Sequence, residues 1–272
     1  MTYQERISRN IGLLTQDEQE QLRTSTIAIL GNGGIGGPIA LNLCYAGCQH
    51  LVLADFDTVE PSNLNRQPFT SEDIGKNKAD VLSEHLKRID PELQIRIYHR
   101  LDERNIDEVL SGVKFAVLSL DGPAGSILVT RAARKKGIPV IEGWTTPFLF
   151  ARWFTWNSIE YESCYGLSTQ SLSFSELENN KDIQKQIYRK FVDFVFSIPG
   201  IKEFYQRDPV YFQQFMEGKL PTRSFAPYVW GNAMFVVHEL IFAGILEKKP
   251  KTLAPNVIAF DPLSMRIITM NE

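Results

Sequence analysis

The sequence is short of cysteine, of net charge and of long apolar runs, and each shortage removes a class of protein. Three cysteines in 272 residues, an odd number with no secretory signal ahead of them, point to a reducing compartment, the cytoplasm. A net charge of −3 gives no reason to expect nucleic acid as a partner. No uninterrupted apolar run approaches the roughly eighteen residues of a membrane span, so none is expected. There is no internal repeat and no low-complexity tract. At this length the chain can bury one sizeable core, or one core and a smaller lobe.

What is present is concentrated between Ile27 and Asp57. Ile27-Ala28-Ile29-Leu30 is a short apolar run of the kind found in buried parallel strands. Gly31, Gly33 and Gly36 follow in the spacing G-x-G-x-x-G, with Gly34 and Gly37 beside them, and a helix begins near Ile39. A second apolar run, His50 to Ala54, ends in Asp55, nineteen positions after Gly36. Strand, glycine turn, helix, strand and acid together predict a nucleotide site. The glycines let the backbone approach a phosphate, the helix N-terminus offers free N–H groups, and the acid can hold ribose hydroxyls.

Thr15 with Glu18 three positions on predicts a capping box and a helix over 16–23. Arg6 and Arg9 ahead of it read as solvated charges. After Asp55, Pro61 and the Ser/Asn cluster predict a loop carrying Arg66, where a guanidinium could grip phosphate bidentately. Lys76 and Lys78 open the next helix, an unfavourable place for cations unless an anion is bound there; a solvated lysine is the alternative. Val81, Leu82, His85, Leu86 and Ile89 follow helical spacing, with His85 read as packing rather than as a ligand. Further strands are expected at 93–98, 114–120 and 138–142, and further helices at 105–111 and 126–136. Asp121 ends the 114–120 strand on the edge where open α/β sheets bind ligands. The alternation calls for a parallel sheet with right-handed crossovers.

The second half changes character. Residues 148–156 read as an aromatic strand, and 165–225 hold aromatics at near-helical spacing broken by prolines, read as packed short helices, with a mobile cover or partner face as the alternative. Residues 228–246 predict a buried helix carrying a core His238, and 256–260 with 265–270 a closing hairpin. The fold class expected is therefore α/β: a Rossmann-like, mainly parallel sheet with flanking helices, a helical insertion and a C-terminal antiparallel extension.

These residues resemble the ThiF/MoeB/HesA family, the bacterial relatives of ubiquitin-activating enzymes. The carriers are Ser8-Arg9-Asn10-Ile11, the loop GNGGIGG, ADFDTVEPSNLNRQ from Ala54 to Gln67, GKNKAD from Gly75 to Asp80, the strand ending at Asp121, and the late apolar helix. The resemblance implies one adenylation domain over 1–272, with a nucleotide-binding half 1–147 and an acceptor-side half 148–272 holding an insertion at about 168–222. It implies binding of ATP with Mg2+ and adenylation of a carboxylate, the C-terminus of a ubiquitin-like or sulfur-carrier protein or of a peptide, with release of pyrophosphate. By position, Gly31, Gly33, Gly34, Gly36, Asp55 and Asp57 would bind the nucleotide. Asn63, Arg66 and Lys78 would handle phosphates, and Asp121 would bind magnesium. Arg9 resembles the arginine that family members lend to the neighbouring subunit, which implies a homodimer.

The chain departs from the family at three points. Four thiolates cannot be assembled from Cys44, Cys48 and Cys164, so the family's structural zinc is not expected. Gly122 stands where an asparagine is usual, and Ser126 where many members carry an arginine. Cys44 and Cys48 read as packing residues, and Cys164 is the only plausible thiol nucleophile or else the remnant of a lost zinc ligand. Two other readings remain: an NAD-dependent oxidoreductase, since the same fold and acid bind NAD, and a non-catalytic adaptor of the same fold.

Overall fold

The computed structural model describes residues 2–144, 147–217, 219–220 and 223–270. The chain opens with helix α1 (Tyr3–Ile7) and α2 (Gln16–Thr24). The predicted capping box is formed: the Thr15 hydroxyl accepts from the Glu18 N–H, and the Glu18 carboxylate accepts from the Thr15 N–H. That pairs N–H groups a helix start would otherwise leave bare. The alternating half follows as β1 (Thr26–Leu30), α3 (Gly36–Ala46), β2 (His50–Ala54), α4 (Lys78–Ile89), β3 (Gln94–Tyr98), α5 (Ile106–Val109), β4 (Phe115–Leu118), α6 (Pro123–Lys135) and β5 (Val140–Glu142). Strand β6 (Leu149–Phe154) leads into five helices: α7 (Tyr161–Cys164), α8 (Phe174–Asn179), α9 (Lys181–Ser197), α10 (Ile201–Tyr205) and α11 (Pro209–Met216). Helix α12 (Ala226–Glu239) runs on as a π turn, Leu240–Ile245, before the hairpin β7 (Val257–Asp261) and β8 (Arg266–Met270).

The strands form one sheet in the order β3-β2-β1-β4-β5-β6-β7-β8. Strands β1 to β5 pair in parallel, and β6, β7 and β8 join antiparallel. Period-two alternation sends Ile27 and Ile29 of β1 into one core with Leu43, Leu82 and Val236, and sends Ala28 and Leu30 into another with Ile127, Val129 and Leu177. Both faces of β1 are covered, which is why its sequence is continuously apolar rather than alternating. Strand β3 lies at the edge and does alternate. Strand order reverses between β1 and β4, and a crevice opens at that point beyond the carboxyl ends of the strands.

Three expectations change. Arg6 is not a solvated charge: its guanidinium pairs with Asp90 at 2.5 Å and donates to the Cys44 carbonyl at 2.6 Å. His238 is exposed rather than in the core. Helix α12 turns Val229, Ala233, Val236, Val237 and Leu240 inward, so Met234 and His238, four apart, fall on the opposite face. Finally, Ala226–Ile245 is long and apolar enough, by length and composition, to cross a membrane, which counting uninterrupted runs missed; 61% of its 18-residue apolar window is buried inside the molecule. It packs against β6 and α3. The buried Asn232 pins it there, accepting from the Phe150 N–H at 2.6 Å and donating to the Trp144 carbonyl at 2.9 Å.

Candidate active site

The crevice is a cavity of about 400 Å³. Its floor is the glycine turn. Gly31 has φ +94°, and a Cβ there would lie 2.2 Å from the Ser119 carbonyl oxygen, so no other residue fits. Gly36 sits behind it: a Cβ would meet the Gly31 carbonyl oxygen at 1.8 Å. Gly36 therefore serves the close packing of α3 on β1, while Gly31, Gly33 and Gly34 line the cavity. The Ser119 hydroxyl at the end of β4 donates to Gly31 O at 2.6 Å and locks the two strand ends together. Helix α3 has no side-chain N-cap and no acid in its first turn. Among the described residues no acceptor reaches the N–H groups of Gly33, Gly34 or Ile35. Bare N–H groups at a helix start suit an anion.

Asp55, at the end of β2, is 9% exposed. It accepts from the Asn32 N–H at 2.6 Å and from the Asp57 N–H at 2.9 Å. Burial pushes its carboxyl above the ordinary range, and these two N–H groups and Lys78 pull it back. Each carboxylate oxygen keeps a lone pair for a further donor.

Lys78 begins α4, and its ammonium pairs with Asp57 at 2.8 Å. Asn77 caps the helix. Its side-chain oxygen accepts from the Ala79 and Asp80 N–H groups, and its amide donates to the carbonyls of Asp55 and Asp57. The cap thus ties the cation to the acid loop. Arg66 donates to the Ser62 carbonyl at 3.0 Å and to Asn65 Oδ1 at 2.8 Å, and no carboxylate pairs with it among the described residues. Its loop is held from below by the Trp230 indole N–H, which donates to Arg66 O at 2.8 Å. Asp121 lies at the mouth, open to solvent yet ringed by protein. That enclosure pushes its carboxyl up; Lys78 and Arg66 draw it down and Asp57 pushes it further up.

The cavity therefore brings together Gly31, Gly33, Gly34, Asp55, Asp57, Arg66, Lys78 and Asp121. Asn63 lies outside it, buried in a turn where its Oδ1 accepts from the Glu60 N–H at 3.1 Å. Arg9 is exposed and away from the cavity. Cys44 and Cys48 are buried, their thiols pushed up to about 12 by that burial. Cys164 lies outside the cavity, its sulfur accepting from the Arg152 guanidinium at 3.2 Å. His85 packs beside the Phe69 ring. Sequence reasoning missed Asn77, Ser119, Gln67, Arg100 and three residues of the insertion, Phe174, Glu178 and Gln184. Asn77 carried a readable signal, an Asn directly ahead of a helical stripe; the insertion residues carried none.

Among the described residues, no group of three or more His, Cys, Asp and Glu side chains is placed to hold a metal alone. The cavity supplies instead the carboxylates of Asp55, Asp57 and Asp121, the cations Arg66 and Lys78, and bare N–H groups facing one space. That set can neutralise a polyphosphate and orient the sugar attached to it.

The ThiF family profile matches residues 7–272. The SAMP-activating enzyme E1 of Haloferax volcanii is 31% identical over 146 residues, covering 52% of this chain and 54% of that enzyme. The sulfur carrier protein ThiS adenylyltransferase of Escherichia coli is 45% identical over 93 residues, covering 33% and 37%. The chain thus spans about half, or less, of the length of these relatives. A crystal structure of Escherichia coli MccB with ATP has the same fold, with a TM-score of 0.65 and 20% identity, covering 93% of this chain and 66% of that one.

Proposed function

The chain belongs to the ThiF family, and from that premise we propose that it adenylates a carboxylate at the expense of ATP and releases pyrophosphate. The observation that carries the reading is the convergence of Arg66, Lys78, Asp55 and Asp121 with the glycine turn on one cavity. The proposed acceptor is the C-terminal carboxylate of a ubiquitin-like or sulfur-carrier protein or of a peptide; the Escherichia coli relative is named for a sulfur carrier protein.

A carboxylate oxygen forms a bond to the α-phosphorus while the α–β bridging bond breaks, and pyrophosphate departs with the electron pair. No covalent nucleophile from the protein is required. The residues position the reactants and offset negative charge that spreads over phosphate oxygens. Asp55 accepts from the ribose hydroxyls. The N–H groups of Gly33 and Gly34 and the Arg66 guanidinium donate to phosphate oxygens. Lys78, kept in place by Asp57, lends its charge.

Magnesium fits the donors present: Asp121 and Asp57 are hard oxygen ligands, and two carboxylates plus substrate phosphates are the usual set for this ion. When bound, the ion would supply charge neutralisation on the triphosphate. Arg9, remote from its own cavity, is proposed to serve the cavity of a second copy in a homodimer. The cytoplasm is the proposed compartment.

The test is ATP–pyrophosphate exchange with candidate acceptors, paired with titration of Mg-ATP and of NAD. Exchange and Mg-ATP binding are expected. Binding of NAD without Mg-ATP would assign the site to hydride transfer, and Mg-ATP binding with no exchange for any acceptor would leave an adaptor.

A further inference from the structure

The cavity has two chemically different ends, one on either side of Asp55. Asp55 ends β2, which lies between β1, bearing the glycine turn, and β3, bearing the loop at Arg100 and Leu101. Arg66 stands beside Gly34 of the glycine turn with its bare N–H groups, and Lys78 pairs with Asp57 just past the end of β2. On the β3 side stand the apolar side chains of Leu101 and, tied to that loop through Glu103, Phe174. This inference rests on the nucleotide reading above. Phosphates then take the cationic side, Asp55 takes the ribose, and the base falls at the apolar side.

That side is closed by the insertion, which is tied to the loop after β3 at two places. Arg100 pairs with Glu178 at 2.7 Å, and the Phe174 N–H donates to the Glu103 carboxylate at 3.2 Å. Phe174 is buried and packs in the core beside α6. The wall is therefore a built surface.

One polar atom on it is uncommitted. The Gln184 side-chain nitrogen donates to the Leu177 carbonyl at 3.1 Å and to the Glu178 carbonyl. Turning the amide over would set its oxygen against two carbonyl oxygens, so the network fixes which atom faces which way. Among the described residues no donor reaches Gln184 Oε1, and Gln184 lines the cavity. The neighbouring Glu178 is also an acceptor, and Arg100, the cation at this end, is turned to it.

We infer that Gln184 selects the nucleobase: its Oε1 accepts from the exocyclic amino group of adenine, making it a specificity-determining residue contributed by the insertion. A base bearing a carbonyl oxygen at that ring position would meet Oε1 lone pair to lone pair. Discrimination by an acceptor aimed at an amino group is strong because the wrong base leaves two oxygens facing each other unpaired.

The experiment is calorimetric titration of the full chain with Mg-ATP and Mg-ITP, which differ where the amino group is replaced by a carbonyl. The wild type is expected to favour ATP about tenfold or more. Gln184→Leu is expected to lose about fivefold in ATP affinity and none in ITP affinity, bringing the ratio towards one. A wild type indifferent to the two nucleotides, or a Gln184→Leu variant with the wild-type ratio, overturns the inference while leaving ATP binding intact. A wild type that binds neither overturns the nucleotide reading itself.

Discussion

Lys78 and Asp57 meet twice: the ammonium lies 2.8 Å from the Asp57 carboxylate, and the Lys78 N–H donates to the Asp57 carbonyl at 2.9 Å. The second bond holds the backbone whatever the side chains do, so the side-chain pair is free to serve a ligand. Lys78→Met is expected to lower pyrophosphate exchange at least about a hundredfold. Its melting temperature should fall by no more than about 2–4 °C, because Asp57 is 43% exposed and water replaces the lost partner. A large loss of stability with modest loss of exchange would make Lys78 a structural residue.

Arg66→Ala and Asp121→Ala are expected to abolish exchange and leave the fold intact, since neither side chain packs in a core. Circular dichroism and exchange assays on the same samples check this. Wild-type-like exchange in both variants defeats the assignment.

The Asp121 carboxyl is held above its ordinary value of 3.8 chiefly by enclosure. A group whose folded pKa is raised binds its proton more tightly in the native state. The native state therefore loses stability as pH rises from the ordinary value through the raised one. Asp121→Asn removes that loss. It is expected to raise the melting temperature at pH 7, by no more than about 2 °C given the group's exposure, and to lose the gain below about pH 4. Melting curves at the two pH values decide it, and a lower melting temperature at pH 7 contradicts the account.

Gly36→Ala would push a methyl group onto the Gly31 carbonyl oxygen at 1.8 Å and Ser119 Oγ at 2.6 Å. Backbone has to move, at about 2–4 kcal/mol, or roughly 4–8 °C in melting temperature for a chain of this size. Gly122→Ala meets nothing within 4 Å and is expected to melt as the wild type does. Equal melting temperatures for the two variants would rule out the packing argument.

Arg152 is wholly buried, paired with Glu142 at 2.6 Å and set against the rings of Tyr165 and Phe194. Arg152→Met leaves the Glu142 carboxylate buried and unpaired, at about 3–5 kcal/mol. The double variant Glu142→Gln with Arg152→Met is expected to recover part of that loss in denaturant unfolding. A double variant less stable than the single one would show that the pair's geometry, and not the orphaned charge, sets the cost.

The legible part of this protein is local. Apolar runs of strand length, the glycine turn, the acid after β2 and the Thr15–Glu18 box all lie within a few residues of what they determine, and period and spacing report them directly. Asp55, Lys78 and Asp121 were legible because each stands at or just past a strand or helix end on one edge of the sheet, and Arg66 because it lies on the loop between β2 and α4 at that edge. Asn63 and Gly36 share that neighbourhood yet point elsewhere, since a turn and a helix packing contact claim their atoms.

By itself, then, the sequence determined the alternating architecture and the chemistry at its carboxyl edge. Only the tertiary structure decided that Arg100 meets Glu178, 78 positions away, and that Arg6 meets Asp90, 84 positions away. It also decided that Gln184 faces the cavity and that His238 faces water. The reason is the same in each case: these partners are joined by chain whose path no local period records. On a helix apolar nearly all round, which stripe is buried depends on where the sheet lies.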